Sequence, residues 1–164
     1  MNSISYKKIS GQDNYQLKEN NETVLDITYN PETHIARVET NNERRALIIE
    51  NEGLLRIKMV VKNEYGVRIG SLTYDNFSDT HGSVEIEDSR FRFIVLHEPK
   101  PELHIYKGSR RNLIYSCDLS FDDKHSKEIR SLSSSSIIAI SWYLFARILN
   151  RCGSHSRLLP VVLS

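Results

Sequence analysis

The chain is poor in everything that would staple, anchor or advertise it. It has two cysteines, Cys117 and Cys152, in 164 residues. One potential pair in a chain this long is not a disulfide framework, and a chain of this size buries about 70% of its unfolded surface without a staple. Both are read as plain thiols of a reducing compartment. No apolar run reaches the roughly twenty residues of a membrane-spanning helix. The opening MNSISYKKISGQDN lacks the apolar core that a signal peptide needs. Together these absences give a cytoplasmic protein as the expectation. A charge excess is missing as well. Lys and Arg number 22 against 21 Asp and Glu, a net +1, which argues against nucleic acid or any other wholesale polyanion as partner. There is no G-x-S-x-G elbow, P-loop, H-E-x-x-H or paired C-x-x-C, so the expectation is a non-enzyme without cofactor or metal.

What is present is regular punctuation. Asn20-Asn21, Asn30-Pro31, Asn41-Asn42, Asn51-Glu52-Gly53 and Asn63-Glu64-Tyr65-Gly66 recur at intervals of about ten residues. Asn suits turns because it tolerates the left-handed backbone and bonds its own chain two residues on. Between the turns the pattern has period two. TVLDITY puts Leu25, Ile27 and Tyr29 on one face, and LLRIKMVVK sets Leu55, Ile57, Met59 and Val61 opposite Arg56, Lys58 and Lys62. GSVEIED, SRFRFIV, ELHIYK and RNLIYSCDL continue it. Short strands at this spacing predict a mainly β fold, with about ten to twelve antiparallel strands in a closed or nearly closed barrel. No internal repeat or linker divides the chain. Residues 1–150 form one domain, Asp122 to Arg130 a polar connector, and residues 151–164 a tail.

The exception is SSSSIIAISWYLFARILN, Ser133 to Asn150, in which the run Ile137–Leu149 is apolar except for Ser141 and Arg147. The serines are good caps for a helix over about 133–150. About thirteen apolar residues fall short of a bilayer by some 10 Å at the helical rise. At 100° per residue Ser141 and Arg147 both fall between apolar neighbours, so no polar stripe faces water and the helix is expected to be enclosed all round. Eight strands close on an interior that side chains alone fill, whereas ten to twelve leave room for a helix 10–12 Å across. A barrel of that size with the hydrophobic C-terminal α-helix inside it is therefore the favoured architecture. The other two readings are a C-terminal membrane anchor and an oligomer contact.

A strand-rich domain ending in one hydrophobic helix resembles the tubby C-terminal-like superfamily, the group of tubby-like, LURP-one-related and phospholipid scramblase proteins. The stretches that carry the likeness are VKNEYGVRIGSLTYD (Val61–Asp75), GSVEIEDSRFRFIV (Gly82–Val95), ELHIYKGSRRNLIYSCDLSF (Glu102–Phe121) and the helix itself, together with a short SYKKI-like first strand. It covers residues 3–150, as in small bacterial members. The resemblance implies a twelve-stranded barrel around a hydrophobic helix, and membrane-lipid binding of the phosphoinositide kind in the tubby branch. No lipid-contacting motif of that branch is matched residue by residue.

Cations on strand faces are the one positive chemical signal. Arg56, Lys58 and Lys62 share one face, Arg90 and Arg92 another, while Lys107, Arg110 and Arg111 crowd a turn, as do Arg44 and Arg45. Brought together by neighbouring strands, they would attract phosphate head groups, with guanidiniums gripping oxygen pairs. Outward strand positions are polar in any case, Lys and Arg also guard edges, and Glu85 and Glu87 stand ready to neutralise a patch. The expected function is a non-enzymatic binding module for anionic phospholipid head groups, peripheral at the membrane. The alternatives are a protein-interaction or scaffold domain without a small ligand, and a scramblase-like tail-anchored membrane protein. The other chemistry-bearing residues read as bland. His97 and His104 in HEPKPELH are two histidines without a third ligand. Cys117 alternates with Leu113, Tyr115 and Leu119 and points inward. Asp75, Asp79, Asp122 and Asp123 are turn formers.

Overall fold

The computed structural model describes residues 1–55, 57–76, 80–108, 112–119 and 133–151, with side chains as far as Leu149. Eleven strands run in chain order: β1 (Asn2–Ile9), β2 (Gln12–Glu19), β3 (Glu22–Asn30), β4 (Ile35–Glu39), β5 (Arg44–Glu52), β6 (Lys58–Lys62), β7 (Arg68–Tyr74), β8 (His81–Ile86), β9 (Ser89–Leu96), β10 (Glu102–Lys107) and β11 (Leu113–Leu119). One helix, α1 (Ser134–Arg151), follows.

Each strand pairs antiparallel with the next, and the sheet closes where β11 meets β1. With an odd number of strands the first and last run the same way, so that seam is parallel. It is also short. Only Ser3 and Ile4 find partners, Asp118 and Leu119, whereas β1 and β2 share eight paired positions. The hairpins are tight for the reason that the sequence displays. Ser10-Gly11 and Asn20-Asn21 both take positive φ at two consecutive residues (50° and 78°, 52° and 68°), as the two-residue turns that match strand twist require.

Alternation sorts the wall into two faces. Leu25, Ile27, Ala36, Val38, Leu47, Ile49, Val61, Leu72, Val84, Phe91, Phe93, Leu103 and Ile105 turn inward and are buried. Two glycines on that face mark close approaches. A Cβ at Gly70 would overlap the carbonyl oxygen of Glu85, and one at Gly82 would overlap that of Thr73 and stand 2.9 Å from the Phe93 ring.

The helix fills this interior. Ser133 caps it: its carbonyl takes the first helical bond from the Ile137 amide at 3.2 Å, and its hydroxyl accepts from the Ser136 amide at 3.4 Å. Ile137, Ile138, Ala139, Ile140, Leu144 and Phe145 belong to the same core as the wall residues. The helix packs against β3 and β4 on one side and β8 and β9 on the other, which lie across the barrel from each other. Both ends are tied to the wall. Near the start Tyr74 and Ser134 share a hydrogen bond of 2.7 Å, and near the end Arg147 donates to Glu19 at 2.7 Å.

Two expectations need correction. Enclosure is complete from Ser135 to Ser141, but Trp142, Tyr143 and Ala146 to Leu149 are only half-buried. The cause is length. Eighteen residues of helix span about 27 Å, whereas strands of about seven residues tilted by about 40° span roughly 18 Å of barrel axis. The second correction concerns Leu55, which does not face inward. β5 and β6 pair as far out as Glu52 and Lys58, so the chain reverses at Gly53–Leu55 and leaves both leucines in solvent.

Candidate functional site

With the interior occupied by its own helix, the surface left for a ligand is the outside. Strands β5 to β9 bring the basic candidates onto one stretch of wall, and their register fixes the distances. Lys58, Thr73, Ser83 and Arg92 are successive partners across four strands, which sets Lys58 and Arg92 about 14 Å apart. Lys58 and Lys62 stand about 13 Å apart along β6. Two pairs are close: Lys62 with Arg68, which are cross-strand partners, and Arg90 with Arg92, which are two residues apart on one face. Arg56, Arg110 and Arg111 lie outside the described residues.

Every described candidate has a carboxylate beside it. Lys58 meets Glu52 at 2.7 Å, Lys62 donates to Glu50 at 2.5 Å, Arg92 donates to Asp75 at 2.6 Å, and Arg90 stands 3.8 Å from Glu85. Arg68 approaches Glu52 at 3.8 Å, while Arg44 pairs with Glu39 and Arg45 with Glu43 and Glu64. The Lys58 ammonium bonded to Glu52, with Arg68 nearby, holds that carboxyl below the usual range. The wall is thus two-signed rather than cationic. Basic residues read from the strand alternation were found; their acidic partners on β5, Glu50 and Glu52, were missed. The signal was present in LIIENE, where the glutamates keep period two opposite Leu47 and Ile49.

Apart from the wall, the titratable groups are committed to structure. Burial, joined by the charge of Asp118, pushes the Cys117 thiol up to about 12, so at neutral pH it is a protonated, unreactive core residue. Burial pushes the Tyr15 phenol up to about 12 against the opposing hydroxyl of Ser133, and burial with the nearby charge of Glu19 pushes Tyr115 up as well. His104 lies 2.8 Å from Glu102 on the same outer face, and among the described residues no three His, Cys, Asp or Glu gather as a metal site would require. Asp75 is held by Arg92, while Asp79, Asp122 and Asp123 lie outside the described residues. No described helix is long and apolar enough to cross a membrane.

No protein-family model, no curated protein and no solved structure matches this chain.

Proposed function

We propose that the protein is a non-enzymatic binding module that docks another protein against the outer wall of β5 to β9. The observation that carries this is the alternation of paired cations and carboxylates over that wall, with the interior closed by α1. A surface of both signs offers little net attraction to a phosphate head group, which must first displace a carboxylate. It does fit a second protein surface with the opposite alternation, where matched charges set orientation and exclude wrong partners. An anionic phospholipid head group is the second reading, favoured by the loosest contacts, Arg68 and Arg90 at 3.8 Å from their acids. The tubby-like resemblance and a peripheral membrane location belong to that second reading.

Photo-crosslinking separates the two. A benzophenone side chain placed at Thr73, on the wall, is compared in the native cell with one at Gln16, on the outer face of β2. Protein adducts at Thr73 alone support the docking role. Co-flotation of the full chain with phosphoinositide vesicles but not neutral vesicles at moderate salt, weakened by Arg90→Glu, supports the head-group reading instead. If neither result appears, both readings are wrong.

A further inference from the structure

Four of the eight large apolar side chains that are exposed among the described residues flank a single five-residue strand, β6. At one end Leu54 is fully exposed and Leu55 is 64% exposed; at the other Tyr65 is 81% and Val67 58% exposed. The remaining four, Met1, Ile9, Leu96 and Leu113, are scattered singly. Between the two apolar ends the strands differ in sign. The outward charges of β5 are acidic, Glu50 and Glu52, and those of β6 are basic, Lys58 and Lys62. Register places Glu52 level with Lys58, and Glu50 level with Val60.

This arrangement is self-complementary under one symmetry operation. A two-fold axis parallel to the strands and midway between β5 and β6 lays β5 of one copy over β6 of the other at the same height. Glu52 then faces Lys58 of the partner and Lys58 faces Glu52 of the partner, as isologous contacts require. The apolar ends, which lie near the axis, meet their own copies. Any axis perpendicular to the strands would set acid against acid instead. We propose that the β5–β6 face joins two copies of this chain in a two-fold dimer. The proposal rests on the docking role of the wall argued above and names the partner as the protein itself.

Sedimentation velocity on the full chain, from sub-micromolar to hundreds of micromolar, is expected to show a monomer–dimer equilibrium that weakens with salt. Lys58→Glu alone and Glu52→Lys alone each create two like-charge contacts and are expected to weaken the dimer about a hundredfold. An equimolar mixture of the two variants restores it, because one copy now carries both acids and the other both bases. The double variant E52K/K58E restores it within one chain. Both side chains are solvent-exposed, so far-ultraviolet circular dichroism is expected to be unchanged. Leu54→Ser with Leu55→Ser provides an independent variant that also dissociates the dimer. A wild-type chain that stays monomeric throughout overturns the proposal and leaves the docking role to the crosslinking result, where adducts with a different protein would keep it. A dimer indifferent to all these variants overturns the choice of face, and a mixture that fails to re-form overturns the axis.

Discussion

Alanine replacements at Ile137, Ile138 and Ile140, made one at a time, probe the helix from three directions. All three side chains are fully buried. Counting from Ile137 at 100° per residue, the second points about 100° away and the third about 300° away. A helix lying on one surface of a sheet buries some of these directions and leaves another near solvent. A helix inside a barrel buries all three alike. Each replacement removes three carbons, worth about 2.4 kcal/mol of transfer, and leaves a cavity that a closed wall cannot readily collapse into. The expected loss is therefore about 3–4 kcal/mol at every one of the three positions. For a chain of this length that corresponds to a fall in Tm of roughly 6–16 °C. Urea denaturation followed by circular dichroism measures it, with the slope compared across variants to confirm that the unfolding transition is unchanged in extent. A loss below about 1 kcal/mol at any one position, with the other two costly, would refute full enclosure.

Other substitutions test the remaining pieces. Ser141 is buried and its hydroxyl has no partner among the described residues, so Ser141→Ala is expected to stabilise the fold by about 1 kcal/mol in the same denaturation assay, where most changes destabilise. Gly82→Ala drives a Cβ into the Thr73 carbonyl and the Phe93 ring and is expected to cost at least about 2 kcal/mol; a neutral result would mean that β7 and β8 do not approach as described. Alkaline pH should also destabilise the protein. The Cys117 thiol keeps its proton in the fold to about 12 but loses it from about 9 when unfolded, so the native state binds more protons and stability falls as pH rises through that window. Cys117→Val should flatten part of the slope measured by denaturation between pH 9 and 11, and a wild-type stability constant over that range would count against burial of the thiol.

Most of the architecture could be read from period and length. The alternation in TVLDITY and SRFRFIV reappears as buried and exposed faces of β3 and β9, and the positive-φ asparagines do fall at a turn. The stripe-free apolar run became an enclosed helix because nothing on it could face water. Where local pattern misled, a longer-range fact decided. Leu55 continues the period of β6 perfectly, yet the pairing of Glu52 with Lys58 ends the ladder before it. The half-buried end of α1 reflects barrel height, which no single segment encodes. The candidate site was legible in part. Lys58, Lys62, Arg90 and Arg92 were visible as outward cations, but which carboxylate sits beside each depends on register between strands, and register is set by the closed sheet as a whole.

The central claim is that α1 is surrounded by its own sheet, and methyl-resolved nuclear Overhauser contacts test it most directly. With Ile, Leu and Val methyls labelled, those of Ile137, Ile138 and Ile140 should together show contacts both to β3–β4, through Leu25, Ile27 and Val38, and to β8–β9, through Val84 and Val95. Contacts to only one of these opposite walls would place the helix against the sheet rather than within it.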